Sequence, residues 1–222
     1  MAQDTITSVL PADLVAALFG QATNVARHRN EVLFLAGDAC DGCYRVVDGL
    51  LKVSAAAPSR RERILAILGP GALVGELSMI DGAPRSASVT AIRDSTLSFV
   101  TRAAFETFAQ ANPQVYRHIS TVLARHLRDN NDALVATSFL SVKGRAARAL
   151  LSLADAFGEN VGSGRILIHQ KVSQADLAAM AGIARENLSR SLQEWMRSGV
   201  IKRLASYYCV ENKAALQREA DD

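Results

Sequence analysis

Turn-forming residues are spread unevenly along this chain, and that unevenness restricts the fold more than any single motif. From Asn24 to Phe99, apolar runs (Val32 to Leu35, Tyr44 to Val47, Leu50 to Val53, Ile64 to Leu68, Ser88 to Val100) are broken by Gly37-Asp38, Asp48-Gly49, Gly69-Pro70-Gly71 and Asp81-Gly82. Turns recurring about every 8 to 12 residues predict the short strands of an all-β barrel or sandwich. Ala12 to Phe19 and Arg102 to Gln110 read as short flanking helices. From Gln114 to Lys143 neither Gly nor Pro occurs. Asn112-Pro113 supplies a capping residue and a proline for the first helical position, so one helix of about six turns or more is expected to start there.

Along that helix, Tyr116, Ser120, Leu123, Leu127, Asn130, Leu134 and Thr137 are separated alternately by four and three residues, the spacing of a coiled-coil seam. The seam predicts a homodimer; a helix lying on its own β domain is the alternative, because three of the seven positions are aliphatic. Beyond Phe139 a third pattern begins, with a helix from Val142 to Phe157, a loop from Gly158 to Gly164 and a strand from Arg165 to His169. Ser173, with Asp176 three residues on, opens a helix carrying Leu177, Ala178 and Met180, and Gly182 provides a turn. A second helix follows Ala184 with inward positions Leu188, Leu192 and Trp195, leaving Arg185, Glu186, Ser189 and Arg190 on its other face. Val200 to Leu204 and Tyr207 to Val210 flank Ala205-Ser206 as a hairpin. Together these elements read as a winged helix-turn-helix.

Composition narrows the function classes. With 222 residues, 49% hydrophobic and 21% charged, the chain has ordinary globular usage and enough length for one large or two small domains. Its apolar runs, such as Leu14 to Gly20, fall far short of the roughly 20 residues of a membrane span. Asp4 precedes the first basic residue, Arg27, which is unlike a secretory start, so a cytoplasmic protein without membrane association is expected. The net charge of +3 is unevenly placed: residues 1–138 carry 13 basic and 13 acidic side chains, while Phe139 to Lys213 carry 11 and 6. The last third is therefore the part suited to a polyanion. Arg185 and Arg190 can grip guanine edges and Glu186 can accept from cytosine; in isolation the same residues would form a helix ion pair. Ser173, Gln174, Lys143, Arg145, Lys202 and Arg203 are candidate phosphate contacts.

Cys40, Cys43 and Cys209 make an odd number, which argues against a disulfide framework. Cys40-Asp41-Gly42-Cys43 has the spacing of a redox pair or half a metal site, but no second ligand pair accompanies it, and free thiols are expected. No nucleophile elbow, phosphate loop or metal pair with an adjacent base occurs, so an enzyme is not expected.

The most specific local pattern is Gly75-Glu76-Leu77-Ser78-Met79-Ile80-Asp81-Gly82-Ala83-Pro84-Arg85-Ser86-Ala87-Ser88-Val89. Gly75 permits close backbone approach, a short helical turn offers free N–H groups, Arg85 adds a fork of donors, Ser86 a hydroxyl and Glu76 acceptors for a sugar. For any two of these residues an ordinary β loop with a surface ion pair is the alternative; together they suit one ribose and one phosphate.

The order G-E-L-x-x-x-x-G-x-P-R-S-A-S-V closely resembles the phosphate-binding cassette of cyclic-nucleotide-binding domains, and the chain as a whole resembles the bacterial Crp/Fnr family of transcription regulators, in the cyclic AMP receptor subgroup. The resemblance implies an α+β chain: a cyclic-nucleotide-binding β roll of the double-stranded jelly-roll type with flanking helices (1–111), a dimerisation helix (112–138) and a winged helix-turn-helix DNA-binding domain (139–222). It implies that Arg85 and Ser86 hold the cyclic phosphate, with Gly75, Glu76 and Leu77 near the ribose and Glu76 on the 2′-hydroxyl. Asn130 and Asn131, one from each subunit, would read the base of cyclic AMP or cyclic GMP. Asn130 interrupts the seam and Asn131 is expected on the side facing the roll; a register-fixing Asn is the alternative. His126 stands where an Arg usually braces the Glu, which makes that contact weaker or dependent on pH. Palindromic half-sites like TGTGA and RNA polymerase, met through Gly158 to Gly164, are the implied partners. A redox or gas sensor on the same scaffold, using Cys40 and Cys43 or a haem, is the rival.

Overall fold

The computed structural model describes residues 10–56 and 62–222, so Asp4 and the start of the chain lie outside the described residues. Two compact units result, Met1–Asn130 and Asn131–Asp222. Both combine helices with antiparallel sheet.

In the first unit, α1 (Ala12–Phe19) leads into β1 (Thr23–Arg27), β2 (Val32–Phe34), β3 (Gly42–Ala56), β4 (Glu62–Leu68), β5 (Leu73–Val74), α2 (Glu76–Asp81), β6 (Ser88–Thr101) and α3 (Arg102–Ala111). β3 and β6 form the spine, paired antiparallel from Gly42 opposite Thr101 to Ser54 opposite Ser88. β1 and β2 add to β6, and β4 and β5 to β3. Val46, Leu51, Leu68, Val89, Ala91 and Leu97 fill the roll. Asp48-Gly49, expected as a turn, lies inside β3, whose register shifts on both sides of Asp48. A bulge explains the difference. Gly49 has φ +110, and a Cβ there would strike Ser95. The Ser95 hydroxyl in turn accepts the Leu50 N–H at 3.1 Å and donates to the Arg93 carbonyl at 2.8 Å.

α1, α3 and the start of α4 (Gln114–Phe139) cover one end of the roll through Leu18, Phe19, Phe105, Val115 and Ile119. Asn112 ends α3, its N–H bonding the Phe108 carbonyl at 2.9 Å, so α4 begins after Pro113 instead of at it. Two faces of α4 behave differently. Val115, Ile119 and Val122 are buried, whereas the seam residues Tyr116, Leu127 and Leu134 are 45%, 62% and 67% exposed. The separation is incomplete, because seam residue Leu123 packs against the same core cluster as Ile119 and Tyr116 meets the Phe105 ring edge-on at 5.8 Å.

The second unit contains α5 (Val142–Phe157), β7 (Gly158–Asn160), β8 (Ile166–Ile168), α6 (Gln174–Ala181), α7 (Arg185–Arg197), β9 (Ile201–Leu204), β10 (Tyr207–Val210) and α8 (Lys213–Ala220). Its sheet runs β7-β8-β10-β9. The segment expected as a loop from Gly158 begins as a strand, because Gly158 to Asn160 pair with Ile168 to Ile166. The chain closes on α8: Asn212 caps it by accepting the Ala215 N–H at 2.9 Å, and Leu216 and Ala220 are buried. Leu150, Leu153, Ile168, Leu177, Leu188, Leu192 and Trp195 form the core. No helix among the described residues is long and apolar enough to cross a membrane.

Candidate functional site

Buried Leu73 and Val74 hold β5 on β3, and Gly75, in the left-handed region at φ +85, turns the chain into α2. Any Cβ at this position would strike the Arg85 guanidinium, so close approach and positive φ both require Gly. α2 stops at Gly82, also left-handed, whose N–H bonds the Ser78 carbonyl at 2.9 Å. The Ser78 hydroxyl donates to the Pro84 carbonyl at 3.3 Å. Arg85 then pairs its backbone with the 37–38 turn, donating to Asp38 at 2.9 Å and accepting from Gly37 at 2.8 Å.

The Arg85 side chain is 1% exposed. Nη1 donates to the Gly75 carbonyl at 3.0 Å, and Nη2 donates to the Gly42 carbonyl at 2.7 Å and to the Asp41 carboxylate. The guanidinium lies 4.2 Å from the Phe34 ring centroid, a cation–π arrangement. Nε is buried with no hydrogen-bond partner. A buried cation is tolerated only when paired, and the 58%-exposed Asp41 supplies that charge from the solvent side.

A cavity of about 330 Å³ opens beside these groups, within the size range of small-ligand sites. Gly75, Glu76, Leu77, Arg85 and Ser86 line one side, Val53, Leu65 and Val89 contribute apolar wall, and His126, Asp129 and Asn130 look in from α4. Glu76 is buried, and its Oε1 meets His126 Nδ1 at 3.2 Å. That hydrogen bond holds the His126 imidazole above its ordinary value, against the opposing pull of burial. Ser86 and Asn130 are exposed at the cavity, and Leu77 is 43% exposed. Asn131, expected on the side facing the roll, is exposed and is not one of the lining residues; Asp129 is. The helical turn explains this: 126, 129 and 130 share a face that 131 leaves.

Asp41 was hidden inside a motif that draws attention to its cysteines. Cys43 belongs to the apolar core, where burial and then Glu76 push its thiol up to about 12. Cys209 is also buried and its thiol is raised, chiefly by burial. No group of three metal-ligating side chains occurs among the described residues.

In the second unit, the Ser173 hydroxyl caps α6, accepting the Asp176 N–H at 3.0 Å and bonding its carboxylate at 2.6 Å. Gly182, at φ +63, makes the turn into α7. Leu188, Leu192 and Trp195 face inward, while Arg185, Glu186 and Arg190 are exposed and Ser189 and Gln174 are half-buried. Arg190 also donates to the Asn187 side chain. Lys202 and Arg203 are exposed on β9. Lys143 and Arg145 are already engaged: Lys143 bridges Glu194 at 2.7 Å and Glu219 at 3.0 Å, and Arg145 donates to the Gly182 carbonyl at 3.4 Å. These two candidate phosphate contacts also brace α7, α8 and the turn.

Comparison with known proteins agrees with both halves. The cyclic nucleotide-binding domain family matches residues 25–112, and the Crp-like helix-turn-helix domain family matches residues 144–219. The CRP-like cAMP-activated global transcriptional regulator of Mycobacterium tuberculosis is 32% identical over 206 residues, 93% of this chain and 92% of that one. The cyclic AMP receptor protein of Thermus thermophilus is 34% identical over 170 residues, 77% and 75% of the two chains. Among solved structures, FixK2 from Bradyrhizobium japonicum has the same fold, with a TM-score of 0.80 at 22% identity over 89% of this chain and 96% of that one. With a nucleotide-binding family in front, a helix-turn-helix family behind and a relative matched nearly end to end, the chain belongs to the Crp/Fnr family of transcriptional regulators.

Proposed function

We propose that this regulator is gated by a cyclic nucleotide, cyclic AMP or cyclic GMP, and acts as a homodimer on palindromic DNA with TGTGA-like half-sites. Its working parts are a ligand domain (1–111), a dimerisation helix (112–138) and a DNA-binding domain (139–222). The observation that carries the reading is the cavity where the buried Arg85, with its unpartnered Nε, meets the Ser86 hydroxyl and the Glu76 carboxylate. The donor set fits a cyclic phosphate: Arg85 and Ser86 receive the anion, Gly75, Glu76 and Leu77 surround the ribose, and Glu76 accepts its 2′-hydroxyl. Asn130 of one subunit and the partner's Asn131 read the base. Curated relatives are named for cyclic AMP.

Binding exchanges one anion for another. The phosphate takes over guanidinium donors held by Asp41, and that half-exposed carboxylate moves into water, so the buried positive charge stays balanced throughout. The ligand can shift the protein between states only by its difference in affinity for them. The exposed apolar seam of Leu127 and Leu134 supports a dimer, which would set two α7 helices in major grooves about 34–36 Å apart. Arg185, Glu186 and Arg190 read base edges, Ser189, Ser173 and Gln174 hold the backbone, and the 158–164 turn faces RNA polymerase in the cytoplasm. The redox alternative finds less support, because a thiol at about 12 like Cys43 is almost wholly protonated at neutral pH.

Calorimetric titration of the nucleotide-stripped protein with each cyclic nucleotide tests the reading. Micromolar binding that disappears in Arg85→Ala is expected; binding of neither, or full affinity in Arg85→Ala, overturns it.

A further inference from the structure

The base-facing wall of the cavity contains a carboxylate that the nucleotide reading has not used. Asp129 lines the cavity beside Asn130, is exposed, and takes no hydrogen bond or salt bridge among the described residues; its charge is felt by the His126 ring one turn before it. Asn130 makes no side-chain hydrogen bond there either.

Position along α4 says what these two groups can meet. His126 marks the level of Glu76, which it contacts at 3.2 Å, and 129 and 130 lie on the same face one turn further on, about 5.4 Å along the axis. A cyclic nucleotide has its phosphate and ribose fused into one rigid unit, with the hydrogen-bonding edge of the base beyond it. If Arg85 and Ser86 hold the phosphate and Glu76 the ribose, the glycosidic conformer that turns the base toward α4 brings its edge to Asp129 and Asn130.

The chemistry of that pair is selective. Guanine presents, in order, the O6 acceptor, the N1–H donor and the N2 amino donor. Its complement is one donor and two acceptors: the Asn130 amide nitrogen and the two oxygens of Asp129. Adenine presents the N6 amino donor, the N1 acceptor and a C–H. An ionised carboxylate has acceptors only, so beside adenine Asp129 would point a lone pair at the N1 lone pair. Two parallel charge-assisted bonds would form to guanine and not to adenine. We propose that Asp129 is a specificity-determining residue that selects a guanine base, making cyclic GMP the preferred ligand of this cavity. The inference rests on the cyclic-nucleotide reading above and decides between the two ligands left open there.

The full-length protein, titrated with cyclic GMP, cyclic AMP and cyclic IMP, provides the test. Cyclic GMP is expected to bind about tenfold tighter than cyclic AMP or better, with cyclic IMP, which lacks only the N2 amine of cyclic GMP, in between. Asp129→Ala should collapse the ratio toward one. Asp129→Asn, which replaces one acceptor oxygen by a donor amide, should move it toward cyclic AMP. Because Asp129 is exposed, both variants should melt with the wild type, and melting curves check this. Tighter wild-type binding of cyclic AMP, or a ratio that neither variant changes, overturns this inference alone, because the cavity would still bind nucleotide and lose it in Arg85→Ala. Binding of none of the three overturns the nucleotide reading and this inference with it.

Discussion

The two units keep their functional charges in opposite conditions. In the first, Arg85 and Glu76 are nearly inaccessible and each is held by a partner, Asp41 with two backbone carbonyls for one and His126 for the other. In the second, Arg185, Glu186 and Arg190 stand in solvent, and the charges that are engaged, such as Lys143, brace the scaffold. On the proposed function, the difference follows from what each would grip. A small anion taken from water is held strongly only by donors already desolvated and aimed, whereas a duplex is approached through its long-range field, which exposed charges project best.

The widest separation between the units should come from Trp195→Ala. Removing this 1%-exposed ring costs about 3–5 kcal/mol. Circular dichroism during urea unfolding should show an early transition of the helix-turn-helix unit and loss of DNA binding, with nucleotide titration persisting. If nucleotide binding vanished as well, the units would not be energetically distinct.

Asp41→Ala tests whether the buried charge depends on its partner. Arg85 keeps two carbonyls but loses its counter-charge, so the first unit should lose about 1–3 kcal/mol. Nucleotide affinity should rise severalfold, since no carboxylate has to be displaced. A fall in affinity would mean that Asp41 positions Arg85 for the ligand instead of competing with it.

On the exposed side, Arg185→Ala should reduce discrimination between specific and scrambled DNA by about 1–3 kcal/mol. Lys202→Ala should weaken both sequences alike and reduce the salt slope by about one. Binding measured on both duplexes across salt concentrations separates the two effects, and a uniform loss in Arg185→Ala would remove it from base reading.

The smallest effect expected is the pH response of the Glu76–His126 pair. The folded state raises the His126 pKa from its ordinary 6.5, so it holds the proton more tightly than the unfolded chain does. The stabilisation is complete below 6.5 and fades as pH rises through the raised value. Glu76 and Asp129 favour the charged ring, while burial and Arg125 oppose it. Urea midpoints between pH 5.5 and 8.5 should fall more steeply in the wild type than in His126→Gln; parallel curves would show that the pair contributes nothing.

Much of this was legible before any coordinates. The Ser173 cap, the Gly182 turn and the inward spacing of Leu188, Leu192 and Trp195 are local signals with their cause within a few neighbouring residues, and the Arg85-Ser86 cassette stands out as a contiguous motif. What the sequence concealed depends on distant partners. Asp48-Gly49 reads as a turn, and only Ser95 on β6, pressed against Gly49, shows why the strand continues through it. Asp41 gains its meaning from Arg85, 44 residues away. Lys143 looked like a free cation until Glu194 and Glu219 closed on it. Asp129 was within reach, three residues after His126, but a pattern built on apolar seam positions passes over a carboxylate beside the seam.

Gly75 sets how this regulator can change over generations. Its positive φ and the Arg85 guanidinium against it make any side chain there strained, so the Arg85 side of the cavity resists change at this position. On α4, His126 is tied to Glu76, whereas Asp129 and Asn130 are exposed where they line the cavity. New effector preferences can therefore arise by single changes on one helix while the anchoring chemistry is inherited intact.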